Sequence, residues 1–115
     1  IGKVDLFMVS HHGFKASNSK ILIHTICPKV AIMNNGPRKG GEAKVFDTLK
    51  SSPGFQDLWQ LHYAEKAGKE KNRPEQFIAN IESPCRAKMI KISAREDGTF
   101  TVTNTRNDFS KTYKP

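Results

Sequence analysis

The sequence predicts an α/β fold, and three observations carry that prediction. Residues 4–9 form an apolar run, a segment of helical periodicity follows, and residues 29–33 form a second apolar run joined to it almost without a loop. Strand, helix and strand in this order imply a βαβ crossover with parallel strands, right-handed as such units are. Toward the other end, two alternating segments flank Asp97-Gly98, the signal of a tight hairpin. A chain of 115 residues fits one small domain on size alone, so residues 1–115 are read as a single unit.

Each element follows from local chemistry. Val4-Asp5-Leu6-Phe7-Met8-Val9 is apolar on both alternating faces, the pattern of a strand covered on two sides, which places it inside a sheet. It gives way to Ser10-His11-His12-Gly13, after which Ser17 or Asn18 can cap a helix carrying Ile21, Leu22, Ile23, Ile26 and Cys27. Pro28 stops that helix. Lys29-Val30-Ala31-Ile32-Met33 is a second buried strand, closed by the turn formers Asn34-Asn35-Gly36-Pro37. Val45, Phe46 and Leu49 then share one helical face, which Ser51-Ser52-Pro53-Gly54 ends. Leu58-Trp59-Gln60-Leu61-His62-Tyr63 is a short strand. Residues 64–74 are rich in Lys, Glu, Gly and Asn without apolar periodicity, which predicts a surface loop. Phe77, Ile78 and Ile81 make a brief apolar patch of unassigned type. Met89-Ile90-Lys91-Ile92-Ser93 and Thr99-Phe100-Thr101-Val102-Thr103 are the arms of the hairpin.

The hydrophobic fraction is 37%, below the roughly 45–50% of a typical globular chain. The core is therefore thin, and stability is marginal unless a partner, a metal or further polypeptide covers more of it. No stretch approaches the ~18–20 apolar residues of a membrane span, which excludes a transmembrane helix. Nineteen Lys and Arg against eleven Asp and Glu give a net charge of +8, which favours anionic partners. The excess is spread along the chain, from Lys15 and Lys20 to Lys111 and Lys114, as a solvated basic surface would be. Cys27 and Cys85 lack CxxC spacing and are either buried thiols or, in an oxidising compartment, one disulfide. The sequence opens at Ile1 with no targeting segment, which predicts a processed chain or a fragment.

One cluster stands out chemically, the Ser10-His11-His12-Gly13 run directly after a buried strand. Imidazole is the commonest protein ligand for zinc, and a histidine at a strand's end sits where a sheet can aim it rigidly. Adjacent side chains on an extended backbone diverge, so one histidine is expected to ligate while the other faces substrate or supports the loop. The ordinary alternative, a polar or packing role for both, stays open on spacing alone.

The run from Val4 to Phe14, followed by Ser17-Asn18 and Pro28-Lys29-Val30-Ala31-Ile32, resembles the late part of metallo-β-lactamase-fold hydrolases. The resemblance is to the group containing the C-terminal domain of the DNA-uptake competence channel and the phosphorylcholine esterases. It covers about the first third of the chain. Asp57 to Tyr63 and the ending Thr101 to Tyr113 resemble an uncharacterised bacterial branch of the same superfamily. The fold this implies is the C-terminal half of an αββα sandwich, with a mixed sheet, flanking helices and the C-terminal hairpin. In that family the His-His-Gly motif supplies the last histidine of a dinuclear zinc site, which implies His11 or His12 as a metal ligand. His12 would also contact substrate or leaving group as a catalytic residue. The family's His-x-His-x-Asp-His motif lies upstream of this motif and does not occur in these residues, and Phe14 stands where many relatives have Ser. The expectation is therefore a chain not competent alone, with the upstream N-terminal half of the same domain as its partner. In the complete enzyme two zinc ions would activate a bridging water against an ester or phosphoester bond. Relatives in the bacterial branch look exported, which implies a periplasmic or secreted location.

Asn35-Gly36-Pro37-Arg38-Lys39-Gly40-Gly41 precedes a helix, and Asn35, Arg38 and Lys39 are candidates for holding an anionic small-molecule substrate. The loop lacks P-loop spacing, so a plain mobile loop is the alternative. His62 reads as a partly buried structural histidine, His24 as exposed, Trp59 and Phe55 as core, and Asp5 as a polar residue at a strand start. The competing function class is a basic nucleic-acid or polyanion binding module without catalysis, resting on charge and unsupported by motif. A non-catalytic assembly domain is a third reading.

Overall fold

In the computed structural model, which describes residues 2–82 and 84–115, four short strands build one all-parallel sheet. They are β1 (Leu6–Met8), β2 (Val30–Met33), β3 (Asp57–His62) and β4 (Ile78–Asn80), in the order β1-β2-β3-β4. The connections carry α1 (Lys20–Ile26), α2 (Ala43–Lys50) and a single turn, α3 (Gly68–Lys71). The expected hairpin forms from β5 (Ile90–Ala94) and β6 (Phe100–Asn104), and β7 (Ser110–Tyr113) extends it to a three-stranded antiparallel sheet.

Strand alternation divides the interior into two cores. Ala31, Met33 and Leu58 face Ile23, Val45, Phe46 and Leu49 of the helices. Val30, Ile32 and Trp59 face Phe100, Val102 and Tyr113 of the second sheet. The layers are thus helices, parallel sheet and antiparallel sheet, and β2 is buried along its whole length because both of its faces are covered. The mixed sheet expected from sequence is instead two sheets, since the hairpin lies face to face on the parallel sheet and does not pair at its edge.

β1 is at an edge of its sheet, where the sequence placed it inside. Leu6 packs toward the second sheet and Phe7 toward the helices. Apolarity on both faces therefore reports the layers above and below a strand, not its lateral neighbours. Met8 is 54% exposed. The α1 cap is Ser19, whose hydroxyl accepts from the Leu22 N–H, and neither Ser17 nor Asn18 takes that role. Ile23 and Ile26 are buried on this helix, whereas Ile21 is 82% exposed.

Residues 64–74 are structured, contrary to the loop expected there. A 3-10 turn at Glu65–Ala67 leads into α3, and Ala64 and Ala67 are buried against the helix-side core. Asn72 secures the segment: its Nδ2 donates to the carbonyls of Ala64 and Gly68, and its Oδ1 accepts from Ala64 N–H and Gln60 Nε2. Two alanines and one amide do here what a periodic run of large apolar residues does elsewhere, so no pattern marks it. The apolar patch at 77–81 resolves into a 3-10 turn, Glu75–Phe77, followed by β4. His24 is not exposed on the outer helix face: its Nε2 donates to the Thr48 carbonyl at 3.0 Å and joins α1 to α2. Trp59 and Phe55 are both core residues but on opposite faces of the sheet. Cys27 and Cys85 are free thiols. Among the described residues no helix is long and apolar enough to cross a membrane.

Candidate functional site

Because β1 to β4 run parallel, the loops that follow them leave from one edge of the sheet, where ligands bind in open α/β sheets. The turn Ser10–Gly13 after β1 brings His11 and His12 to that edge, and the 34–41 loop after β2 lies beside it. The turn is built against the ordinary preference of its residues. His11 (φ 46°), His12 (φ 56°) and Gly13 (φ 88°) are three consecutive left-handed residues, and only the glycine adopts that conformation without cost. The backbone is therefore not extended, and the two imidazole centroids lie 6.0 Å apart. The divergence expected for neighbours on a strand does not hold.

Two clamps secure this conformation. On one side Asn18, 3% exposed, donates from Nδ2 to the carbonyls of Ser10 (2.8 Å) and Phe14 (2.7 Å) and accepts the Ser10 N–H on Oδ1 (3.0 Å). On the other, Gly41 N–H donates to the His12 carbonyl at 3.0 Å and Glu42 N–H to the Gly13 carbonyl at 3.1 Å. Gly40 sits so close that a Cβ there would run into the His12 carbonyl, and its φ of +71° already favours glycine.

The histidines differ. His12 is half-buried, and its Nδ1 lies 2.7 Å from the Asn34 carbonyl, a partner that can only accept. Nδ1 is thus the donor, and in the neutral ring Nε2 is the nitrogen with the lone pair. His11 is exposed, packs at a tilt against Phe14 with ring centroids 4.6 Å apart, and has Ser17 Oγ 3.4 Å from its Nδ1.

The other sequence candidates are placed as follows. Asn35 is buried: its Nδ2 donates to the carbonyls of Gly36, in its own loop, and His62, and its Oδ1 accepts the His62 N–H, so the two bonds to His62 join the ends of β2 and β3. Arg38 and Lys39 are exposed on the loop that Asn35 and Gly40 hold. His62 is partly buried, and desolvation lowers its pKa below the usual histidine value. Asp5 pairs with Lys29 at 3.3 Å. Asn18, Gly40 and Gly41 are the residues that sequence reading did not assign to this site.

A zinc ion takes three or four protein ligands. The histidine turn offers two imidazoles, and among the described residues no group of three His, Cys, Asp or Glu side chains is placed to hold a metal. By themselves these residues do not fit a zinc centre.

At the opposite edge, where β3 begins, a second polar cluster joins the two sheets. Buried Asp57 accepts from Arg73 Nη2 (2.9 Å), Lys111 Nζ (2.6 Å) and Tyr113 hydroxyl (2.8 Å), and that hydroxyl accepts from Trp59 Nε1 (3.0 Å). Burial first, then the hydrogen bond to Asp57, pushes the Tyr113 hydroxyl well above the usual tyrosine pKa. No family model, curated protein or solved structure matches this chain.

Proposed function

We propose that residues 1–115 are part of a metal-dependent hydrolase of metallo-β-lactamase fold, acting on ester or phosphoester bonds. In this reading His11 and His12 face the metal, and the remaining ligands come from polypeptide outside these residues. The observation that carries it is the hydrogen bond from His12 Nδ1 to the Asn34 carbonyl. Metal-binding histidines characteristically donate their other ring N–H to a carbonyl or carboxylate, which fixes the tautomer and aims the free nitrogen. The strained turn supports the same reading, since left-handed non-glycine residues persist where surrounding structure over-determines them, often at functional sites. Arg38 and Lys39, on the neighbouring loop, are suited to an anionic substrate group.

The test is the zinc content of the purified chain after dialysis, measured by elemental analysis beside His11→Ala and His12→Ala. A half-site predicts weak, sub-stoichiometric zinc that either substitution removes. Stoichiometric zinc lost on either substitution would mean that the site closes without outside ligands. Zinc indifferent to both histidines would end the metal reading.

A further inference from the structure

We infer that Asn18 is a positioning residue for the histidine pair: its three hydrogen bonds to Ser10 and Phe14 hold His12 in the one tautomer that presents Nε2. The inference rests on the hydrolase reading for its purpose, but not for its geometry. Ser10 and Phe14 are the residues on either side of His11-His12-Gly13, and Asn18 grips the backbone of both from one amide. With the two ends fixed, the three residues between them must turn within a short span, and the Phe14 N–H closes onto the His11 carbonyl at 3.0 Å. That turn carries His12 to the Asn34 carbonyl.

The side-chain inventory is used in full. Two Nδ2 hydrogens meet two carbonyls and Oδ1 meets one N–H, so neither aspartate nor alanine can reproduce the set. Asn18 belongs to neither apolar core. Its loss should therefore free the turn while leaving the layers in place.

The experiment reads the ring nitrogens of His12 directly, by long-range 1H–15N correlation at pH 8, in the wild-type chain, Asn18→Ala and Asn18→Asp. Trp59 emission and far-UV circular dichroism report the fold separately. The wild-type chain should show the proton on Nδ1. Both variants should show a mixture of tautomers with the fold unchanged, and zinc affinity should fall tenfold to a hundredfold, the usual cost of losing a residue that orients a ligand. An Nδ1 proton retained in both folded variants would overturn the inference. Unfolding of both would overturn it too, because a clamp outside both cores should not be needed for the fold. If only Asn18→Ala unfolds, Asn18→Asp decides, since it keeps the acceptor for Ser10 and loses both donors. Absence of zinc binding in the wild-type chain would count against the hydrolase reading and leave the tautomer result standing.

Discussion

The two ends of the parallel sheet use buried polar groups for different purposes. Where β1 and β2 end, the groups are the neutral amides of Asn18 and Asn35, and every bond they make is to backbone. They shape loops and leave the imidazoles unspent. Where β3 begins, the central group is the Asp57 carboxylate, and its partners Arg73, Lys111 and Tyr113 come from elsewhere in the chain, two of them from the second sheet. That cluster uses up its polar atoms to hold layers together. A clamp made of amides costs little in desolvation and leaves the neighbouring charges free, whereas a buried carboxylate must be matched by cations.

Mutations should separate the two ends. Asp57→Ala should have the largest effect, about 3 kcal/mol in denaturant unfolding followed by Trp59 fluorescence, because it strips the acceptor from two cations and a buried hydroxyl. It should leave the His12 tautomer unchanged. Gly40→Ala comes next, at about 2 kcal/mol, since the methyl meets the His12 carbonyl and the backbone is already left-handed. Its signature is local: NMR shifts should cluster at residues 10–14 and 34–42.

Tyr113→Phe should cost about 1 kcal/mol at neutral pH, for the lost hydrogen bonds. It also carries a pH signature. The folded state raises the hydroxyl's pKa, so the tyrosine's contribution is complete below the unfolded value of about 10 and is lost as pH rises above it. Wild-type stability should fall on the alkaline side, and thermal melts of the variant should flatten that limb. The smallest effect is expected from Arg38→Ala with Lys39→Ala, both exposed: no measurable change in melting temperature. If residues 1–115 belong to the hydrolase proposed above, the same pair of substitutions in that enzyme should raise KM for an anionic ester more than for a neutral one.

What the sequence makes legible follows from what repeats along it. Val30 to Met33 declares itself by an unbroken apolar run, the Val45, Phe46 and Leu49 face and the alternation around Asp97-Gly98 by period, and each forms where expected. Polar residues that act singly leave no period. Asn18, Asn35, Asn72 and Asn80 each spend their amide on the backbone of another segment, and nothing nearby in sequence sets them apart from loop asparagines. The third antiparallel strand was hidden for a related reason, since β7 buries Tyr113 alone. The histidine turn stands out in the sequence by its residue types but not by its geometry, because its left-handed backbone is held by Asn18 and by glycines 28 and 29 residues beyond His12.

Sequence distance gives the two polar clusters different places in time. Asn18 reaches back 4 residues to Phe14 and 8 to Ser10, whereas Asp57 meets Lys111 and Tyr113 across 54 and 56 residues. Closing the longer loop forfeits more chain entropy and waits for both sheets to exist. The Asn18 grip is thus expected to form during early collapse and the Asp57 cluster near the end of folding. Substitutions at Asp57 should then hasten unfolding far more than they slow refolding.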